Sequence, residues 1–185
     1  MKITLASASP RRRELIAKIK NLTTEIHPSG ADESRISART PRELAENLAL
    51  VKAESVFREC GGIVLGADTV VALGGRVLGK PKTEAEAREF LRLLSGKTHE
   101  VITGIAIINE EKTIVKSEIT RVTFGLITDD AIDRYVATGS PMDKAGAYGL
   151  QDADVKAFTR RVDGDEDNVI GLPVRLVEKT LEENF

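Results

Sequence analysis

The sequence of 185 residues predicts an α/β fold with a mixed, partly parallel sheet flanked by helices. Short apolar runs alternate with amphipathic stretches along the chain, which is typical of helices packed against a sheet. Some neighbouring runs are joined by turns alone, and such short connections make the paired strands antiparallel. The sequence contains no internal repeat and no flexible linker. We therefore expect a single domain over residues 1–185, built as two closely packed lobes with a central cleft.

The first elements are defined by apolar spacing and by capping residues. Residues 2–6 and 22–27 predict strands, and apolar residues at helical spacing predict a helix over 10–20. Thr40 begins a capping box in which proline takes the first helical position. A helix is therefore expected from residue 41 to about residue 58.

The middle of the chain contains a long apolar run. Residues 63–73 predict a buried strand, and Gly74-Gly75 turns the chain into a second strand at 76–78. A capping box at Thr83, followed by apolar residues at helical spacing, predicts a helix that stops at Ser95.

The C-terminal part of the chain returns to strands before it ends in a helix. Runs at 100–109 and 112–124 predict a hairpin, and a helix is expected over 129–138. A strand at 155–162 and a helix at 173–183 complete the prediction.

Composition excludes several classes of protein. The chain carries 27 Lys and Arg against 29 Asp and Glu, and its aromatic content of 4% provides few stacking platforms, so we expect no nucleic-acid partner. No apolar stretch of about 18 residues occurs, so we expect no membrane span and a cytoplasmic protein. One cysteine and two histidines provide neither an internal disulfide nor the spacing of a zinc site.

Three consecutive arginines, Arg11-Arg12-Arg13, stand where a helix is expected to begin. Ser9 is a good N-cap and Pro10 a good first helical residue. The first turn of a helix normally favours acidic side chains, so cations there indicate a bound anion. The alternative is that the arginines extend into water and pair with acids such as Glu14. We favour a phosphate site.

Asp68 lies within the apolar run at 63–73. A buried carboxylate without a partner is costly, so it must be paired, bind a metal or line a cleft. In a cleft it could act as a general base for water or hold a divalent ion. The alternative is a salt bridge to a lysine in the core.

Other polar residues are weaker candidates when taken one at a time. Gly79-Lys80 could approach a phosphate, but the pair is common in ordinary turns and lacks the spacing of a Walker A loop. Asp143 and Lys144 are expected to pair with each other. The amide of Gln151 is suited to a nucleobase edge, whereas Glu33 and Lys52 resemble ordinary surface residues by composition.

Taken together, these motifs resemble the Maf family of nucleotide pyrophosphatases, almost from end to end of the chain. The resemblance is carried by residues 5–12, Asp32-Glu33, Lys52 with its helix, 67–71, 79–81, 95–96 with 100–104, 135–151 and 168–173. Within the family, the segment from Asp143 to Gln151 is similar to the branch that acts on dTTP and UTP.

The resemblance implies hydrolysis of a nucleoside triphosphate between its α and β phosphates, as a house-cleaning activity, with Mg²⁺ or Mn²⁺ as cofactor. It implies that Asp68 is the proton acceptor and that Glu33 and Asp68 hold the metal. It assigns substrate binding or specificity to Ser7, Arg11, Arg12, Lys52, Thr69, Lys80 and Gln151. It also implies a fold like that of inosine-triphosphate pyrophosphatases, and a homodimer.

A non-catalytic regulator of septum formation that responds to nucleotides is the alternative. The presence of Asp68, Glu33, Lys52 and Lys80 favours catalysis, because a protein that only binds nucleotides could lose the base without consequence.

Overall fold

Seven strands share one sheet in the computed structural model, which describes all residues from 1 to 185. The strands are β1 (Lys2–Leu5), β2 (Thr23–Ile26), β3 (Val64–Leu73), β4 (Arg76–Leu78), β5 (Thr98–Ile108), β6 (Thr113–Phe124) and β7 (Thr159–Asp163). The helices are α1 (Pro10–Ile16), α2 (Pro41–Cys60), α3 (Glu84–Leu94), α4 (Asp129–Ala137), α5 (Ala153–Phe158), α6 (Glu166–Ile170) and α7 (Val174–Asn184). Short 3₁₀ turns lie at Glu33–Arg35, Ser140–Asp143 and Ala145–Ala147. None of the helices is both long enough and apolar enough to span a membrane.

The sheet is mixed, as the sequence predicted. Its strand order is β2-β1-β3-β5-β6-β7, and β4 pairs with β3 off this path. β1 runs parallel to both β2 and β3, whereas all other pairs are antiparallel, including the predicted hairpin of β5 and β6.

One edge of β3 is only partly covered by neighbouring strands. β1 pairs with Val64 and Leu65, and β4 pairs with β3 only from Val71 onward. Residues 66–70 therefore have no strand beside them on this edge, and the gap separates β1 from β4. Asp68 lies in the middle of this gap, where the predicted cleft is found.

Helix α2 packs unusually close to the sheet. Its alanines Ala45, Ala49 and Ala53 are fully buried, and Gly66 and Gly104 face them from β3 and β5. A Cβ on Gly104 would lie 2.6 Å from the backbone nitrogen of Glu46 and would collide with the carbonyl of Ala45. Small residues on both surfaces thus set the height of α2 above the sheet.

The opposite face of the sheet carries two apolar clusters. In one, α1 and α7 cover the inner ends of β3 and β5, with Leu65 and Ile105 at its base. In the other, α3, α4 and α5 cover the remaining length of these strands and β6, around Val71, Val101 and Phe124. The gap in β3 thus lies next to a well-packed core on this face.

The structure corrects two predicted elements and adds one. The predicted helix over 10–20 ends at Ile16, because tight bonds from Lys18 to Leu15 and from Ile19 to Ile16 close the last turn. The predicted strand at 155–162 is wrong in its first half, where the chain forms α5 and buries Val155 and Phe158 at helical spacing. Helix α6 was not predicted.

Candidate active site

A cavity of about 420 Å³ opens at the gap in β3. Of the site residues that the sequence suggested, all but Ser7 line it, namely Arg11, Arg12, Glu33, Lys52, Asp68, Thr69, Lys80 and Gln151. Residues from six separate parts of the chain thus meet in one place. Arg13, the third arginine of the triplet, is exposed and does not reach the cavity.

Lys52 joins the two acidic residues of the cavity. Its Nζ donates to Asp68 Oδ1 at 2.5 Å and lies 3.2 Å from Glu33 Oε1. The side chains of Lys52 and Asp68 are only 13% and 15% exposed, whereas that of Glu33 is 48% exposed. The expectation that Lys52 is an ordinary surface residue is therefore wrong, and Asp68 is paired with a lysine at the edge of a cleft.

Arg12 is anchored on three sides. Its Nε donates to the backbone oxygen of Gly171 at 2.8 Å, and its Nη2 donates to Thr69 Oγ1 at 3.1 Å. Ser7 lies behind the cavity wall, where its hydroxyl accepts from Arg12 Nη1 at 3.5 Å. Burial lowers the pKa of Arg12, Asp68 opposes this shift, and the charge of Arg11 adds to it. A bound anion would offset both the burial of the Arg12 charge and its repulsion by Arg11.

Arg11 is held by a carboxylate. Its Nη1 donates to Asp143 Oδ2 at 2.9 Å, and Lys144 Nζ donates to Asp143 Oδ1 at 2.8 Å, which confirms the predicted Asp143–Lys144 pair. Partial burial would raise the pKa of Asp143, but the hydrogen bonds from Lys144 and Arg11 outweigh it and lower the pKa to about 2. Asp143 is therefore ionised at any physiological pH.

Lys144 is the buried member of this network, with 8% exposure. Its Nζ also donates to the backbone oxygen and the hydroxyl of Ser140, at 2.6 and 3.0 Å. The three protons of the ammonium group thus have three protein acceptors. Lys144 lines the cavity, but its three protons are already used within the protein. Its role is therefore to hold Asp143 in place.

The far end of the cavity is mainly apolar. Val71, Val77, Val101 and Val169 line it together with Tyr148. The surface changes from charged to apolar across one cavity, which matches a ligand that carries phosphates at one end and a flat heterocycle at the other.

The rim of the cavity carries exposed polar groups. Gln151 and Lys80 are both exposed there. A Cβ on Gly149 would lie 2.7 Å from Lys144 Cε and 3.0 Å from Gln151 Nε2, so glycine at this position makes room for both side chains.

Tyr148 is held from behind by a residue that the sequence did not single out. His99 Nε2 lies 2.7 Å from the Tyr148 hydroxyl, and both rings pack edge-on against Phe124. Burial lowers the pKa of His99 to about 4 and raises that of Tyr148. The pair is therefore neutral at physiological pH and forms a rigid floor under the apolar end.

Sequence reasoning also missed the residues that hold Arg11 and Arg12 in place. The Asp143 carboxylate was assigned to Lys144 alone, and neither Gly171 nor the loop around it was given a role. Gly171 has φ of +137°, a conformation that favours glycine, and its carbonyl faces Arg12. The glycine in the sequence is the one local signal of this contact.

The arrangement has a definite chemical capacity. Arg11, Arg12, Lys52 and Lys80 bring four cationic groups to one cavity, where they can pair with the oxygens of a polyphosphate. Asp68 places a carboxylate among them. There it could accept a proton from a water molecule that attacks a bound phosphate. The cavity can therefore bind a nucleotide and deliver a proton acceptor to its phosphates.

Comparison with known proteins is consistent with this geometry. The model of the Maf-like protein family matches residues 2–184. The chain is 48% identical over 184 residues to the dTTP/UTP pyrophosphatase of Thermococcus gammatolerans, covering 99% of this chain and 97% of that relative. It is also 48% identical over 180 residues to the dTTP/UTP pyrophosphatase of Bacillus mycoides, covering 96% of this chain and 93% of that relative.

Solved structures share the fold at much lower sequence identity. The Ham1 protein of Staphylococcus aureus aligns over 100% of both chains with a TM-score of 0.57 and 15% identity. A HAM1 protein from Coxiella burnetii aligns over 99% of both chains with a TM-score of 0.52 and 15% identity. At this identity the likeness concerns the fold alone, and it confirms the predicted mixed α/β architecture.

Proposed function

Because the chain belongs to the Maf family, we propose that it is a nucleoside triphosphate pyrophosphatase that hydrolyses dTTP and UTP to the monophosphate and pyrophosphate. The observation that carries the proposal is the meeting of Asp68, Lys52 and two arginines in one cavity. The identity of 48% to relatives named for this activity supports the choice of pyrimidine nucleotides. Such a reaction would remove unwanted pyrimidine triphosphates from the nucleotide pool.

In this proposal the cationic groups bind the triphosphate. Arg11 and Arg12 enter from the segment that follows β1, Lys52 from α2, and Lys80 from the loop after β4. Their charges favour the leaving pyrophosphate, on which negative charge increases during bond cleavage. Hydrolysis of this kind depends on position and charge, so the site needs no covalent nucleophile.

Asp68 accepts the proton of the attacking water. Oδ1 is occupied by Lys52, whereas Oδ2 makes no hydrogen bond within the protein. The water oxygen bonds to the α phosphorus, and the bond between that phosphorus and the α,β-bridging oxygen breaks. The water proton moves to Asp68, and pyrophosphate leaves.

We also propose that Glu33 and Asp68 hold Mg²⁺ or Mn²⁺ together with substrate phosphates. One oxygen of each carboxylate lies within 3.2 Å of Lys52 Nζ, so the two carboxylates converge on one part of the cavity. No third His, Cys, Asp or Glu joins them. Mg²⁺ commonly binds one or two carboxylates and takes its other ligands from phosphate and water, so the pair fits. Such an ion would lower the pKa of a bound water and offset phosphate charge.

The assembly and location of the protein are part of the same proposal. We propose a homodimer that acts in the cytoplasm without a nucleic-acid or membrane partner, and the net charge of −2 supports the lack of a nucleic-acid partner. Equilibrium sedimentation of the purified protein tests the dimer, for which a monomeric mass across the micromolar range would be the contrary result.

A panel of nucleoside triphosphates tests the activity. The purified protein is incubated with each nucleotide, with and without Mg²⁺ or Mn²⁺, and pyrophosphate is measured. We expect metal-dependent release from dTTP and UTP, and a loss of at least about 100-fold in kcat for Asp68→Asn because the proton acceptor is gone. A folded protein that turns over none of the nucleotides would refute the enzyme and favour the regulatory alternative.

A further inference from the structure

Polar side chains cross the apolar core behind Arg12. Thr103 lies on β5 between Val101 and Ile105 on the same face of the strand, and these two neighbours belong to the two separate apolar clusters. Thr103 is completely buried. Valine has nearly the shape of threonine, so packing alone does not require a hydroxyl at this position. A buried hydroxyl costs free energy unless it is hydrogen bonded, so its partners indicate its role.

These partners form a continuous chain that ends at Arg12. Arg12 Nη2 donates to Thr69 Oγ1 at 3.1 Å, and Thr69 Oγ1 lies 2.9 Å from Thr103 Oγ1. Thr103 Oγ1 donates to the backbone oxygen of Asn168 at 3.1 Å. Thr69 and Thr103 are directly opposite each other in the register of β3 and β5, which brings their hydroxyls together.

Asn168 fixes the inner end of this chain. It is completely buried, and its Nδ2 donates to the backbone oxygen of Val101 at 3.1 Å and to Thr120 Oγ1 at 3.0 Å. Thr120 in turn exchanges hydrogen bonds with the backbone of Asp165, at 2.9 and 3.1 Å. The loop that contains α6 is thereby tied to β5 and β6, and its carbonyls are set at a fixed height above the sheet.

The direction of every hydrogen bond in the chain follows from its two ends. A guanidinium group can only donate, and a carbonyl oxygen can only accept. The proton of Thr103 is used on Asn168, so Thr69 must supply the proton between the two hydroxyls. The other acceptor within reach of Thr69, the backbone oxygen of Gly171, is farther away at 3.4 Å, against 2.9 Å for Thr103. Thr69 therefore turns a lone pair toward Arg12, and the chain runs from Arg12 through Thr69 and Thr103 to Asn168.

We propose that Thr103 and Asn168 are positioning residues for Arg12, and that their hydrogen-bonded chain through Thr69 holds its guanidinium group at the phosphate end of the cavity. The same loop contributes the Gly171 carbonyl, which accepts from Arg12 Nε at 2.8 Å. One loop, through its buried residues Asn168 and Gly171, thus determines both the position and the rotation of the guanidinium plane. The role in nucleotide binding rests on the proposed function, whereas the anchoring of Arg12 does not.

The test replaces the hydroxyl of Thr103 and follows Arg12 directly. In ¹⁵N NMR spectra of the full chain without nucleotide, the Nε–H signal of Arg12 is assigned by its loss in Arg12→Lys. We expect this signal to shift and its exchange with water to accelerate in Thr103→Val. Thr69 then loses Thr103 as its acceptor and turns its proton to the backbone oxygen of Gly171, 3.4 Å away, which is also the acceptor of Arg12 Nε. Thr103→Ser retains the hydroxyl and should restore the wild-type signal.

Binding provides the second readout. The probe is α,β-imido-dTTP, which cannot be cleaved at the α,β bond. We expect its Kd to increase about fivefold to tenfold in Thr103→Val, as for the loss of one hydrogen bond in a coupled network. In an Arg12→Ala background the same substitution should change Kd by less than about twofold, because its effect passes through Arg12.

Thr180→Val is the matched control. Thr180 is also completely buried, but its hydroxyl donates to Leu176 within α7 and has no bond to the chain. This variant should leave the Arg12 signal and the Kd of the probe unchanged. If Thr103→Val does not fold, Thr103→Ala removes the same hydroxyl without placing a methyl group against Thr69.

The outcomes separate the anchoring of Arg12 from the proposed function. An Arg12 signal that is unchanged in folded Thr103→Val, or effects on Kd that add fully in the double variant, would overturn the positioning role. A wild-type protein that does not bind the probe would contradict the proposed function, and the NMR comparison would still decide whether Thr103 anchors Arg12.

Discussion

Gly104 is the position where a single methyl group should disturb both the fold and the site. A Cβ at Gly104 would lie 2.6 Å from the backbone nitrogen of Glu46, whereas ordinary contact begins at 3.4 Å. Helix α2 would have to retreat by at least about 0.8 Å, because the obstacle is helix backbone and not the end of a flexible side chain. Overpacking of this kind costs about 1 to 3 kcal/mol, and a backbone obstacle places the cost near the upper value.

The same retreat moves Lys52, which is carried by α2. Its Nζ now lies 2.5 Å from Asp68 Oδ1, so a retreat of this size lengthens the contact to about 3.3 Å and weakens it. Displacements of about 1 Å in a catalytic group can reduce activity by roughly 100-fold. For Gly104→Ala we therefore expect an unfolding free energy lower by about 3 kcal/mol and a kcat/KM for dTTP lower by about 30-fold to 100-fold.

Urea denaturation and steady-state kinetics measure the two effects separately. Gly30→Ala is the control, because a Cβ there meets nothing within 4 Å and its φ is not positive. It should stay within about 0.5 kcal/mol of wild type with unchanged kinetics. If Gly104→Ala behaves like Gly30→Ala in both assays, the close approach of α2 does not determine the site.

Three further predictions concern the walls of the cavity. His99 has an ordinary pKa of 6.5 that burial lowers to about 4, so its contribution to stability is present above pH 6.5 and is lost as the pH falls toward 4. Between these pH values the unfolding free energy of the wild type should therefore fall by about 3 kcal/mol more than that of His99→Phe. Urea titration at each pH measures the difference, and equal losses would contradict the lowered pKa of His99. Asp143→Asn should raise the KM for dTTP roughly tenfold with little change in kcat, because Arg11 and Lys144 lose their common charged partner. Initial rates over a range of dTTP concentrations measure this, and an unchanged KM would exclude a role of Asp143 in holding Arg11. Gln151→Ala should reduce the preference among nucleotides in a substrate competition assay more than it slows dTTP hydrolysis, and an unchanged ranking would count against base recognition by this amide.

Much of the fold could be predicted because its signals are local. The capping threonines Thr40, Thr83 and Thr128 accept hydrogen bonds from the backbone three residues later, and the helices that follow begin where the sequence predicted. A long apolar run identified β3, and strand-like runs identified the β5–β6 hairpin. The error at 155–162 arose because α5 has only six residues and runs directly into β7, so the helical spacing of Val155 and Phe158 occurs only once.

The site was harder to predict because its contacts are long-range. Arg12 is anchored by Gly171, which is 159 positions away in the chain, and nothing near Arg12 indicates this partner. Lys52 resembled a surface residue by composition alone, because most lysines on helices are exposed to solvent. The alanine stripe beside it, which allows the helix to approach Gly66 and Gly104, was the available signal that this face is buried.

The two arginines are adjacent in the sequence, yet the structure supports them by different physical means. Arg11 is held by Asp143, whose side chain is 63% exposed, so salt should weaken this contact. Arg12 is held by neutral hydroxyls and carbonyls, most of them buried, and interactions of this kind depend little on ionic strength. Arg11 can therefore change partner when a phosphate arrives, whereas Arg12 presents a guanidinium group that is oriented in advance. Pre-orientation reduces the loss of entropy on binding, so Arg12 is suited to positioning the reacting phosphates. Arg11 is suited to exchanging Asp143 for a phosphate of the bound nucleotide.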